Sequence, residues 1–242
     1  MHFKQLFDDE SSTYTYLFAP KNGKLGAIID PVKGYEQQYI DWFKTHNLKL
    51  GYALDTHTHA DHITALGNLR DLTNCITVMS EHSDAACVSR HIKDGETIDL
   101  DGLIITALYT PGHTNESLSY LMKDRIFTGD TLLINGTGRT DFQNGNAYAQ
   151  YDSLFNKLLK LPDETLVYPG HDYHGNKVST IKQERLNNPR LQIADAEEYA
   201  KLMNALNLTN PKMMDIAVPM NLTCGKSSPH LNTTISPQEN IK

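Results

Sequence analysis

Residues 55 to 62, DTHTHADH, place three histidines and two aspartates in eight positions of a chain that holds only 11 His. Imidazole and carboxylate are metal-ligand groups, and metal-ligand spacing is the chemistry this pattern points to. The motif follows the apolar run YALDT. While the chain stays extended, His57, His59 and Asp61 project to one side, two residues apart, and His62 points elsewhere. Asp61 is placed to cap the helix expected over HITALGNLRDL. Three later segments put the same chemistry at strand ends. YTPGHT offers His113 beyond a turn made by Pro111 and Gly112. IFTGDTL offers Asp130, with Gly129 leaving room for close approach, and LVYPGHDY offers His171. Four strand ends that each supply imidazole or carboxylate are what loops on a rigid scaffold need to build one site. His57, His59, Asp61, His62, His113, Asp130 and His171 together point to a metal site.

The elements that must position these groups follow from periodicity. FKQLF and TYTYLFAP read as paired strands, and KNGK as the turn into the strand LGAIIDP. YEQQYIDWFKTH spaces Tyr35, Tyr39, Ile40 and Phe43 at helical intervals. LKLGYALDT and CITVMS read as strands on either side of the helix HITALGNLRDL. From Glu96 to Leu133 short β runs follow one another without a helix. YDSLFNKLLKL, VSTIKQERL and AEEYAKLMNAL read as helices, and ETLVYP as a strand. This order implies an α/β fold with layers around two sheets. The last stretch, KSSPHLNTTISPQENIK, is polar and aperiodic, so residues 226–242 are expected to be a disordered tail behind a domain of residues 1–225.

Composition excludes some partners. With 22 Lys+Arg against 29 Asp+Glu the formal charge is −7, and no basic run is present, which argues against nucleic-acid binding. An anionic small substrate therefore requires a local basic patch. Cys75, Cys87 and Cys224 are odd in number, widely spaced and not in CxxC pairs. Neither a disulfide framework nor a thiolate zinc site is expected, and a reducing compartment is. The start MHFKQLFDDESS shows no targeting pattern and no apolar run is long enough to span a bilayer, so the expected location is cytoplasmic, with no membrane partner.

HxHxDH followed by a later His, Asp and His resembles the metallo-β-lactamase fold superfamily. That resemblance implies an αββα sandwich of two mixed sheets flanked by helices, with the metal at one edge between the sheets. GDTLLINGTGRTDFQNGNAYAQYDSL, YPGHDYHGNKVSTIKQERLNNPRL and KMMDIAVPMNLTCG are similar to the persulfide dioxygenases (sulfur dioxygenases) within it. The narrower resemblance implies one Fe(II) per chain held by His57, His113 and Asp130. His59, Asp61, His62 and His171 then surround the iron, at positions that hold a second metal in the hydrolases. It implies that Arg139, Tyr173 and Arg190 contact glutathione, that glutathione persulfide and dioxygen are the substrates, and that the chain is often a homodimer. Two His and one carboxylate leave about three open positions on Fe(II) for a sulfur and dioxygen. Zinc would instead polarise a carbonyl and supply hydroxide.

The ligand types do not choose between these metals. The alternative is a glyoxalase-II-type hydroxyacylglutathione hydrolase with two zinc or iron ions on all seven groups. A metal-free glutathione-binding scaffold would show an eroded ligand, and none is seen. Thr137 stands where some persulfide dioxygenases carry a cysteine.

Overall fold

The computed structural model describes residues 1–226. The chain builds β1 (His2–Asp8), β2 (Thr13–Ala19), β3 (Leu25–Ile29), α1 (Glu36–Thr45), β4 (Lys49–Leu54), α2 (Leu66–Thr73), β5 (Ile76–Ser80) and β6 (Arg90–Ile92). It continues with β7 (Thr97–Leu100), β8 (Leu103–Tyr109), β9 (Leu118–Leu121), β10 (Arg125–Gly129), α3 (Ala147–Asp152), β11 (Leu166–Pro169) and β12 (Ser179–Thr180). α4 (Ile181–Asn187), α5 (Ala196–Asn204) and α6 (Met214–Asn221) follow.

Strands β1 to β6 form one six-stranded sheet in chain order, and β12-β11-β10-β9-β8-β7 form the other. Both are mixed: β3, β4, β5 and β6 run parallel, as do β10 and β11, while the remaining pairs are antiparallel.

Alternation within strands explains the layering. In β2, Tyr16 and Phe18 face the second sheet, whereas Leu17 and Ala19 face α1 and α2. The inter-sheet core joins Tyr16, Phe18, Ile29 and Leu54 to Ile105, Leu118, Tyr120 and Phe127, with Phe18 stacked on Phe127 at 5.4 Å. Tyr39, Phe43, Leu66 and Leu69 seal one outer face. Leu154, Leu158, Ile181 and Tyr199 cover Ile126 and Val167 on the other. Helix, sheet, sheet, helix is the expected αββα order. Two tyrosines then lock the sheets together at one edge: Tyr16 donates to Pro169 O (2.5 Å) and Tyr120 to Asp55 O (3.0 Å). Asp30, Asp55, His113, Asp130 and His171 all lie just past strand C-termini at that edge.

Several local expectations change. Tyr35 is exposed and α1 buries Tyr39 and Phe43. Helix α2 begins at Leu66, so Asp61 caps nothing; its carboxylate accepts from Thr13 Oγ1 (2.8 Å) and lies 2.7 Å from His62 Nδ1. YDSLFNKLLKL is not one α-helix. After α3 it passes into a π turn at Ser153–Lys157 and a 3-10 turn at Leu158–Lys160.

The cysteines also differ from expectation. Cys75 is a buried free thiol, but Cys87 and Cys224 form a disulfide across 137 residues, with Cα atoms 6.0 Å apart. Wide spacing hid that pair, because only packing around the outer helix layer brings the β5–β6 loop to the turn after α6. Of the expected tail, Lys226 is placed, with its N–H on Thr223 O (3.2 Å), and the rest lies outside the described residues. Among the described residues no helix is long and apolar enough to cross a membrane.

Candidate metal centre and cavity

Segment 55–62 runs as a series of bends after β4, not as extended strand, and this splits the motif in two. One ligand atom each from His57, His113 and Asp130 lie within 4.8 Å of one another; a second such group is His59, Asp61 and His62. His171 bridges them, with Nε2 3.6 Å from both Asp61 Oδ2 and Asp130 Oδ1.

Hydrogen bonds behind the rings fix which nitrogens face inward. His113 Nδ1 lies 2.7 Å from Arg139 O, and a carbonyl only accepts, so Nδ1 carries the proton and the lone pair is on Nε2. That Nε2 stands 3.6 Å from Asp130 Oδ2. His171 Nδ1 is held by Ser12 O in the same way (3.1 Å). Thr56 Oγ1 donates to Asp30 Oδ2 (3.0 Å) and so accepts from His57 Nδ1 (3.0 Å), leaving His57 Nε2 free. Such backing of ligand histidines by carbonyl or carboxylate groups is the usual outer layer of a metal site. Asp130 Oδ1, His59 Nδ1 and His62 Nε2 are buried without a hydrogen-bond partner among the described residues, as expected of atoms that hold an ion.

The two groups differ in charge. Burial, then the neighbouring His59 and His113, holds His57 well below its ordinary value, so its ring is neutral at pH 7. Burial lowers His62 as well. Burial also opposes charge on His59, yet the Asp30 carboxylate outweighs it and His59 rises to about 9. Asp130 and Asp61 likewise overcome burial at His171 and raise it to about 10. His62 and His171 hold Asp61 well below the carboxylate range against its burial.

The metallo-beta-lactamase superfamily model matches residues 8–171. "Persulfide dioxygenase ETHE1, mitochondrial" of Bos taurus is 43% identical over 229 residues, which cover 93% of this chain and 89% of that protein. The crystal structure of ETHE1 from Myxococcus xanthus matches with a TM-score of 0.91 at 48% identity, covering 93% of this chain and 100% of that one. This chain belongs to the persulfide dioxygenase family of the metallo-beta-lactamase superfamily. A hydroxyacylglutathione hydrolase of Rhodopseudomonas palustris (strain BisB18) is 37% identical over 165 residues, 66% of this chain and 63% of that protein. Fold and family together support a metal cofactor at this edge.

In this persulfide dioxygenase family member a cavity of about 1280 Å³ opens above the His/Asp groups, lined also by Arg139, Tyr173 and Arg190. The three differ in availability. Arg139 has its fork occupied: Nε and Nη2 bind Asp141 (2.6 and 2.7 Å), Nη1 binds Thr209 O (2.7 Å), and the group lies over Phe142. Its closest link to the ligands is through its own carbonyl on His113. Arg190 spends only Nη1, on Thr137 O (2.5 Å) and Thr137 Oγ1 (3.2 Å); among the described residues its Nε and Nη2 have no protein partner. Tyr173 stands exposed at the mouth, its ring parallel to that of His171 at 6.1 Å. Thr137 is buried, and its hydroxyl also accepts from Tyr199 (3.1 Å), so this residue braces an arginine.

Sequence reasoning missed the residues that support the motif. Asp30 binds Thr56 N–H (2.7 Å) and lies 3.2 Å from His59 Nε2. Glu116 accepts from Thr58 N (2.9 Å) while Gln143 donates to Thr58 O (2.6 Å), clamping the residue between two histidines. Asp30 had a legible signal, an aspartate ending an apolar strand before Pro31, as Asp55 ends YAL. Glu116 and Gln143 had none.

Proposed function

We propose that this chain is a mononuclear non-haem iron dioxygenase that converts glutathione persulfide, dioxygen and water to sulfite and glutathione. The observation that carries the reading is the His57–His113–Asp130 group in a chain so similar to persulfide dioxygenases over nearly its whole length. These three residues would hold the ion, and Fe(II) on such a face supplies dioxygen chemistry beside a bound sulfur.

The chain's own groups divide the remaining work. Arg190 lines the cavity with Nε and Nη2 groups that have no protein partner among the described residues, suited to a glutathione carboxylate, and adds to the local positive charge in a chain of −7. Arg139 secures His113 through its carbonyl and holds the cavity wall through Asp141. Tyr173 covers the mouth beside His171. Burial keeps His57 neutral and ready to ligate. The runner-up, a dinuclear hydroxyacylglutathione hydrolase, is supported by the presence of all seven ligand-type groups at one edge and by the partial likeness to the Rhodopseudomonas hydrolase.

The test is oxygen uptake by the Fe(II)-loaded protein on addition of glutathione persulfide. One sulfite formed per dioxygen consumed, with about one iron per chain, supports the reading. No uptake by fully metallated protein overturns it, and hydrolysis of S-lactoylglutathione with two metals per chain would establish the alternative.

The arginines provide a finer check. Loss of a charge-assisted hydrogen bond costs about 1.5–3 kcal/mol. Arg190→Ala is therefore expected to raise KM for glutathione persulfide about 10- to 100-fold with little change in kcat. Arg139→Ala is expected to raise it less, because Asp141 already occupies its fork. Equal KM values for the two variants and the parent would remove both from substrate binding.

A further inference from the structure

The ligand loop is held from behind by the last helix and the turn that follows it. Asn221, buried at the end of α6, donates from Nδ2 to the carbonyls of both His59 and His62 (2.8 Å each). Its Oδ1 accepts from Thr64 N–H (2.9 Å). Three residues on, the Cys224 carbonyl accepts from Gly67 N–H at the start of α2 (3.0 Å), and Lys33 Nζ reaches Gly225 O (2.5 Å). This turn thus fixes the backbone of the loop that carries His57, His59, Asp61 and His62.

Its other ties are the packing of Cys224 in the outer core and an ion pair of Lys226 with Asp71. Only Ala217 and Asn221 of α6 are buried, and Pro219 within the helix has no amide hydrogen to donate. A segment with so little apolar surface to withdraw from water is one that opens locally at low cost. The covalent tie is the disulfide from Cys224, which is buried, to Cys87, which is partly exposed in the β5–β6 loop.

We propose that Cys87 and Cys224 are a redox-active thiol–disulfide site, with low-molecular-weight disulfides as its oxidant class, and that its state sets how firmly the metal-ligand loop is held. In the oxidising direction the Cys87 thiolate attacks one sulfur of a small disulfide, forming a mixed disulfide and expelling one small thiolate. Cys224, giving up its proton, then attacks the Cys87 sulfur and expels the second small thiol. Two protein thiols are oxidised and one small disulfide is reduced to two thiols. A dithiol reverses the exchange. With the bridge closed, Asn221 is kept against His59, His62 and Thr64; with it open, the turn is held only by non-covalent contacts, its hydrogen bonds, the Lys226–Asp71 pair and the packing of Cys224.

The test uses the full chain loaded with Fe(II). Equilibration in glutathione buffers of graded ratio, followed by acid quench, alkylation in denaturant and mass measurement, should show one free thiol, the buried Cys75, in the oxidised form and three in the reduced form. Opening the bridge with a phosphine reductant is expected to speed iron transfer to a chelator about tenfold, the scale on which outer supports of a metal site act. It should also speed amide exchange over residues 59–67. Cys87→Ser should show the fast release in either buffer, and Cys75→Ala should behave as the parent. Exchange and release in the parent protein need no variant, so a Cys87→Ser that fails to fold leaves the test intact. A bridge that never forms with oxidised glutathione, or one that opens with iron release and amide exchange unchanged, overturns the proposal. Neither readout requires persulfide turnover.

Discussion

His113→Ala is expected to lose bound iron and to lower oxygen uptake with glutathione persulfide by at least about 1000-fold, or ~4 kcal/mol of transition-state stabilisation. The geometry explains why a single ring matters so much. His113 Nδ1–H is spent on Arg139 O at 2.7 Å, which turns Nε2 to within 3.6 Å of Asp130 Oδ2. Removing the ring leaves one imidazole and one carboxylate for an ion that needs a complete face. It also leaves Arg139 O without its donor. Metal per chain and oxygen uptake, measured on the same preparation, check this, with circular dichroism confirming the fold. Arg139→Ala provides the contrast, since its carbonyl remains and metal content should stay near one. A His113→Ala protein with full iron and parental rate would refute the proposed ligand set.

Gly138→Ala should be nearly as damaging, although the residue carries no chemistry. A Cβ at Gly138 would stand 2.3 Å from Asp130 O and 2.8 Å from His113 Nδ1, and the Gly138 N–H already binds Asp130 O at 2.7 Å. The methyl can be accommodated only by moving the main chain of Asp130, which carries a ligand carboxylate, or the His113 ring. Overpacking of this kind costs ~1–3 kcal/mol, which for a chain of this size lowers Tm by roughly 2–10 °C. Iron content is expected to fall below about a tenth of the parent's, because the displaced groups are a ligand ring and the backbone that positions a ligand carboxylate. Gly136→Ala, two residues away, meets nothing closer than Leu133 Cβ at 3.9 Å and should be silent. Parental iron content and rate in Gly138→Ala would show that the loop yields without disturbing the site.

How far the sequence could be read varies with the range of the interaction involved. Strand and helix positions followed from apolar spacing because each element buries its own alternating or helical face. In β2, Tyr16 and Phe18 turn inward and Leu17 turns outward, as alternation requires. Gly129 was legible too: its φ is +50°, and a Cβ there would meet Thr56 Oγ1 at 2.5 Å. Asp61 as a helix cap was wrong because its carboxylate is taken by His62 and Thr13, partners that no local pattern reveals. The extended course assumed for 57 to 61 failed for a related reason. Asp30, Glu116 and Gln143 seize the backbone of that loop from distant segments and bend it.

The sequence by itself determined the ligand types, their placement after apolar strands and an α/β layering around two sheets, since these depend on side-chain chemistry and on periods of two and 3.6 residues, while the αββα order was implied by the resemblance to the metallo-β-lactamase fold. The tertiary structure alone decided how seven candidate groups divide into two clusters, which nitrogen of each ring faces inward, and that Arg190 rather than Arg139 has donors to spare. It also decided the pairing of Cys87 with Cys224. Most of these depend on contacts between segments 26 to 159 residues apart, made only when the two sheets close on one another and bring the strand ends to a common edge.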